Sequence, residues 1–168
     1  MTTIAPALTY DVVLTPIGRL IVASDGSAIA GTWMANASPD DDGWEEQRGH
    51  DQILAEAREQ LGAYFDGGLR TFTLPLAPNG TEFQLRVWNA LTKIPFGTTI
   101  SYATLARRVR NPAAVRAVGA ANGRNPIPII VPCHRVIGSD GSLTGFGGGI
   151  ERKLWLLQHE GAQGTLDL

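Results

Sequence analysis

The period of the hydrophobic pattern changes near residue 80, and neither a single sheet nor a single helical bundle accommodates both halves of the chain. Before Ala77-Pro78-Asn79-Gly80 the apolar residues fall in short runs cut by Pro, Gly and Asp, the mark of strands joined by turns, with one helical stretch among them. After it they recur at helical spacing in short segments set close together. A chain of 168 residues is long enough for two small domains, each with its own core. The expected division is residues 1–80 and residues 81–168. Charge divides at nearly the same place. Residues 1–82 hold four Lys/Arg and twelve Asp/Glu, a net of −8, whereas residues 83–168 hold ten and four, a net of +6. The whole-chain net charge of −2 therefore conceals a second half able to meet a polyanion.

Within the first half, residues 8–14 and 19–23 read as a hairpin around Thr15-Pro16-Ile17-Gly18, and residues 28–34 as a third antiparallel strand after the Asp25-Gly26-Ser27 turn. Ser38-Pro39-Asp40-Asp41-Asp42-Gly43 reads as an acidic loop, and His50 as a solvated histidine with no ligand-spaced neighbour to hold a metal. Ile53, Leu54, Ala57, Leu61, Tyr64 and Phe65 predict an amphipathic helix over 52–65, closed by Gly67-Gly68. Residues 72–76 read as a strand or extended edge. Nothing in this half carries chemistry.

The second half opens on Thr81-Glu82-Phe83-Gln84, a capping box that starts a helix burying Phe83, Val87, Leu91 and Ile94, with Trp88 in the core beside them. Ser101 is placed to cap a helix reaching Val109, and Asn111 to cap another with Pro112 at its first position. Two short helices and a tight turn have the spacing of a helix-turn-helix. The second of them is built from Ala113, Ala114, Val115, Ala117, Val118, Gly119, Ala120 and Ala121, with Arg116 its one long polar side chain before Arg124. A helix that reads base edges displays several amide or cationic side chains, so this one is suited to contact through shape and phosphates without sequence preference.

The only cysteine, Cys133, lies in Pro132-Cys133-His134-Arg135-Val136. One cysteine excludes an internal disulfide and is in keeping with a reducing cytoplasm; no signal-peptide pattern or membrane-length apolar run is present. A cysteine beside a histidine reads either as an activated thiolate or as a buried structural residue. Three functions stay open at this level: a self-modifying transferase, a cysteine hydrolase, and a winged-helix regulator with an inert cysteine. In an extended segment neighbouring side chains point to opposite sides, so Cys133 and His134 would need a bridging water to communicate.

Taken together, the run from Asn125 to Val136, the paired helices before it and Gly145-Phe146-Gly147-Gly148-Gly149 after it closely resemble the O6-alkylguanine-DNA alkyltransferases. The likeness is dense over residues 81–161 and looser over the first 80, and Cys133 sets the chain apart from relatives that lack the acceptor cysteine. The resemblance implies an α/β (α+β) protein with an N-terminal ribonuclease H-like domain, a small antiparallel sheet with a helix, and a C-terminal winged helix-turn-helix-like domain. It implies a cytoplasmic monomer that repairs double-stranded DNA without cofactor, metal or membrane. An alkyl group on O6 of guanine, or O4 of thymine, would pass once to Cys133, with the damaged base flipped out. By matching position, His134 would be the base acting through water, Glu160 would orient and polarise it, and Asn125 would hold the turn that shapes the site. Arg116 would fill the space of the extruded nucleotide and Tyr102 would help rotate it, with Ala114, Ala117, Asn122 and Arg135 also on the DNA-contacting side. Val136, Phe146 and Gly147 would line the guanine pocket and Lys153 would brace it. Phe146 stands where many members have tyrosine, which removes a hydroxyl from that pocket.

Elementary chemistry agrees with two of these roles. O6 of a stacked guanine is reached only by extruding the base. A carboxylate at Glu160, ending a predicted 150–160 helix before Gly161, is unfavourable to the helix dipole and calls for a partner.

Overall fold

The computed structural model describes residues 8–34 and 51–162; the acidic run at 38–43 and His50 lie outside the described residues. Two compact units are present, Met1–Pro78 and Asn79–Leu168.

The first unit is a three-stranded antiparallel sheet in the order β1 (Thr9–Thr15), β2 (Gly18–Ser24), β3 (Ile29–Met34), carrying α1 (Gln52–Phe65). The β1–β2 turn is tight, with Thr15 opposite Gly18 and the Thr15 hydroxyl donating to the Gly18 carbonyl at 2.6 Å. Central β2 is buried from Leu20 to Ala23, as a strand covered on both faces must be. Helix α1 packs on β1 and β2 through Leu54, Ala57, Leu61 and Tyr64. Its N-cap is Asp51, whose carboxylate accepts from the Ile53 and Leu54 N–H groups and from the Thr9 hydroxyl. At the other end the Gly67 and Gly68 N–H groups close on the Tyr64 and Ala63 carbonyls, a Schellman motif with Gly67 at φ 87°. The expected strand at 72–76 is extended chain joined to β3 by a single parallel bridge at Leu76 and Ile29, where the Ile29 N–H donates to the Pro75 carbonyl and the Ala77 N–H to the Ile29 carbonyl, both at 2.8 Å.

In the second unit α2 (Glu82–Leu91) begins with the full reciprocal capping box of Thr81 and Gln84. It packs on α3 (Tyr102–Arg108) and α4 (Val115–Gly123), and the Trp88 indole N–H donates to the Ala121 carbonyl at 2.8 Å. Ser101 caps α3 as its position predicts. Asn111 does not cap α4. The N–H groups of Arg110 and Asn111 are committed to the Arg107 and Ala106 carbonyls, closing α3, and the Ala114 N–H turns back to the Asn111 carbonyl. Asn-Pro here makes a turn, and α4 starts at Val115 without a side-chain cap. Strands β4 (Ile100–Ser101) and β5 (Val136–Ile137) pair in parallel, and α5 (Ile150–His159) ends with Glu160 as its C-cap and Gly161 at φ 67°. Among the described residues no helix is long and apolar enough to cross a membrane.

Candidate active site

Cys133, His134 and Arg135 form a single 3₁₀ turn between the buried run Ile129–Ile130–Val131 and β5, not an extended segment. Several backbone and amide bonds hold it. Asn125 accepts from the Ile127 N–H at 3.0 Å and donates to the Val131 carbonyl at 2.8 Å, pinning the loop that leads into the turn. The Cys133 carbonyl accepts from the Val136 N–H and, at 3.4 Å, from the Asn122 amide. Cys133 itself is 5% exposed.

Around this turn lies a buried charge cluster. His134 and Glu160 are both buried, with His134 Nε2 2.7 Å from Glu160 Oε1. Arg135 grips the same carboxylate in a fork, Nε to Oε2 at 2.9 Å and Nη2 to Oε1 at 2.8 Å, and its Nη1 donates to the Ile94 carbonyl at 2.7 Å. Burial works against the Glu160 anion, but the bonds from His134 and Arg135 outweigh it and hold the carboxyl well below the usual range. An ionised carboxylate only accepts, so His134 Nε2 carries the hydrogen. Burial also pushes the His134 pKa down, and the opposing pull of Glu160 does not offset it. The imidazole is therefore neutral, and Nδ1 is a lone-pair acceptor, buried and without a hydrogen-bond partner.

Burial pushes the Cys133 thiol up, with the Asn125 amide and the Lys153 charge pulling less strongly the other way. At neutral pH the sulfur is thus protonated, and a nucleophilic sulfur requires a base. Lys153 is fully buried, donating to the Val136 carbonyl at 2.6 Å and the Thr144 carbonyl at 2.8 Å; burial brings its pKa down to about 8. The Tyr102 hydroxyl donates to the same Thr144 carbonyl at 2.8 Å, so α3, the loop before α5 and α5 itself converge there. Phe146 and Gly147 lie on that loop, Phe146 half-buried and Gly147 exposed.

Cys133, His134, Glu160, Asn125, Lys153 and Val136 are thus joined in one buried cluster, with Tyr102 tied to it through Thr144. Arg116 and Ala117 are exposed on α4 and Ala114 is half-buried at its start. Two residues expected on the DNA-contacting side are buried. Arg135 is 5% exposed because its guanidinium is spent on Glu160, and Asn122 is 1% exposed because its amide turns inward to the Cys133 carbonyl. Sequence reasoning missed both roles. The signal for Arg135 was the stranded carboxylate at a helix C-terminus, which one histidine only partly answers.

A protonated buried thiol, a neutral imidazole with an open acceptor and a small-residue helix-turn-helix helix define a DNA-binding protein with a cysteine centre. Known proteins agree in both units. The model of the 6-O-methylguanine DNA methyltransferase ribonuclease-like domain matches residues 8–78, and that of the DNA-binding domain of the same proteins matches residues 82–162. A methylated-DNA–protein-cysteine methyltransferase of Mycobacterium leprae is 52% identical over 147 residues, 86% of this chain and 87% of the relative. The crystal structure of the Mycobacterium tuberculosis O6-methylguanine methyltransferase superposes with a TM-score of 0.83 at 45% identity, covering 96% of this chain and 97% of that one. A crystal structure of the M. tuberculosis protein in complex with DNA superposes equally well, at 46% identity over 95% of this chain and 96% of that one. The chain belongs to the 6-O-methylguanine DNA methyltransferase family.

Proposed function

We propose that this protein repairs duplex DNA by moving an alkyl group from O6 of guanine onto Cys133, once per molecule and without a cofactor. The observation that carries this reading is the unpartnered Nδ1 of a neutral His134 whose other nitrogen is committed to Glu160. It supplies the base that a protonated, buried Cys133 requires.

In the step we propose, the Cys133 S–H proton passes through a bridging water to His134 Nδ1. The sulfur lone pair forms the S–C bond to the alkyl carbon, the C–O6 bond breaks, and its electron pair stays with the guanine. The proton returned by the imidazolium completes neutral guanine. Glu160, held by Arg135, stabilises the transient imidazolium. The alkylated sulfur has no leaving route, so the protein is consumed.

The flanking residues take the parts their positions permit. Ala114 and Ala117 let α4 approach DNA closely, and exposed Arg116 occupies the space of the extruded nucleotide. Tyr102 helps rotate it. Val136, whose carbonyl keeps one lone pair beside the Lys153 bond, lines the guanine pocket with Phe146 and Gly147. We place the reaction in the cytoplasm, carried out by a monomer.

Intact-mass measurement after incubation with a duplex containing O6-methylguanine tests the reading. The expected result is a gain of one methyl per molecule in the wild type and none in Cys133→Ala. Multiple turnover would instead identify a hydrolase, and binding with no gain of mass a regulator.

A further inference from the structure

One face of α2, at Arg86, Asn89 and Ala90 and continuing to Lys93, forms a groove of about 760 Å³ with Arg108, Val109 and Arg110 at the end of α3. Four cations line it and no carboxylate does. Arg116 is not among the lining residues, so the groove is separate from the exposed face of α4 that carries it. Among the described residues no acidic side chain pairs with Lys93, Arg108 or Arg110.

Arg110 adds an independent observation. It is the C′ residue of the Schellman motif that closes α3 and sits at φ 61°, a left-handed conformation that glycine adopts freely and arginine does not. The negative end of the α3 dipole does not account for it, because Arg107 and Arg108 already occupy the last turn. A non-glycine residue kept where the backbone favours glycine points to a use for its side chain.

We propose that this groove binds the phosphate backbone of duplex DNA, as a second contact beyond α4. The inference rests on the reading that the protein acts on DNA, and it extends the footprint. Arg86 lies on α2 and Lys93 just past its end, with Arg108 and Arg110 at the end of α3, so the cations come from separate positions suited to successive phosphates of a backbone. No aromatic side chain lines the groove, so it lacks the stacking platform that single strands use. Its floor is Ala90 and Val109, and Asn89 adds a neutral donor.

The test is the salt dependence of Kd for a duplex carrying O6-methylguanine, between about 50 and 200 mM salt. Arg110→Gly is expected to lower the slope of log Kd against log salt by about 0.9, the signature of one lost phosphate contact. Combining it with Arg86→Gln and Lys93→Gln is expected to lower the slope by about 2.7 in all, three times the single-variant effect. Glycine suits φ 61°, so Arg110→Gly should melt no lower than the wild type, and methyl transfer from free O6-methylguanine base should not change. Unchanged slopes in a folded triple variant overturn the proposal and leave an acidic protein segment as the occupant. An equal effect from Arg19→Gln, on β2 outside the groove, also overturns it, since net charge would then suffice. A wild type that gains no methyl from duplex DNA defeats the repair reading itself, whereas repair with unchanged slopes defeats only the groove.

Discussion

Each unit of this protein contains an arginine fork on a carboxylate, and the two forks do different work. In the first, Arg58 Nε and Nη2 reach Asp11 Oδ2 and Oδ1 at 3.0 and 2.6 Å, and Nη2 also donates to the Val12 carbonyl. The Arg58 side chain is half exposed, and the fork ties α1 to β1. In the second, Arg135 makes nearly the same fork on Glu160, but with the carboxylate fully enclosed and a histidine on the same oxygen. The first closes a structural account. The second leaves a remainder, the open Nδ1 of His134. Fork geometry does not distinguish a site from a clamp. Burial and an unspent acceptor do, because a buried polar group without a partner is costly and persists where something else will meet it.

The most severe way to break this contrast is Glu160→Gln. It leaves the Arg135 guanidinium enclosed without a counter-ion, a change that typically costs 3–5 kcal/mol. It also replaces an acceptor-only carboxylate beside His134 Nε2 with an amide that can present either its oxygen or its NH2, so the tautomer is no longer fixed and the charge that stabilises the imidazolium is gone. The expected outcome is a lower unfolding midpoint in urea together with a fall in the methyl-transfer rate of about 100-fold or more. A variant that is destabilised but transfers methyl at the wild-type rate would make the buried fork no more than a second clamp.

The pH dependence of stability sharpens the same contrast. The His134 pKa is lowered from 6.5 in the fold, so below 6.5 the unfolded chain binds a proton that the native state refuses. Glu160 is lowered from 4.5, so the unfolded chain binds more protons there as well. Both contributions are complete above the unfolded values and are lost as pH falls. Unfolding free energy should start to decline near pH 6.5 and steepen near 4.5. In His134→Gln the onset at 6.5 should disappear and the one at 4.5 remain. Persistence of the upper onset at full size in that variant would mean that the onset belongs to another group and that the fold does not lower the His134 pKa.

How much of this was legible depended on how far each partner lay along the chain. The capping box of Thr81 and Gln84, the Gly67-Gly68 close of α1 and the Gly161 close of α5 are decided within a few residues, and local pattern predicts them. Cys133-His134 and Glu160 stood out by chemistry alone. Asn111 misled because an N-cap and the second residue past a helix end look alike in sequence, and here its N–H had already been claimed by Ala106. Arg135 and Asn122 were placed on the DNA-contacting side by the resemblance alone, which says nothing of the partners that bury them. Their burial is set by Glu160, 25 residues away, and by the Cys133 carbonyl, 11 residues away. The Asp51 cap was available to local reasoning, as an Asp directly before the first helical residue.

The mildest change falls on the exposed fork. Arg58→Met keeps the aliphatic stem and removes the guanidinium from a half-exposed position where water and salt already weaken the pair. Asp11 is 9% exposed and is left with the Val12 N–H as a donor at 2.8 Å, so its carboxylate retains one hydrogen bond. The expected loss is about 1 kcal/mol or less, measured by urea unfolding, and smaller still at high salt. The methyl-transfer rate on free O6-methylguanine base should equal that of the wild type, since no proton or acceptor in the cysteine centre depends on Arg58. A slower rate at unchanged stability would mean that the two forks communicate, and the division of labour between the units would have to be redrawn.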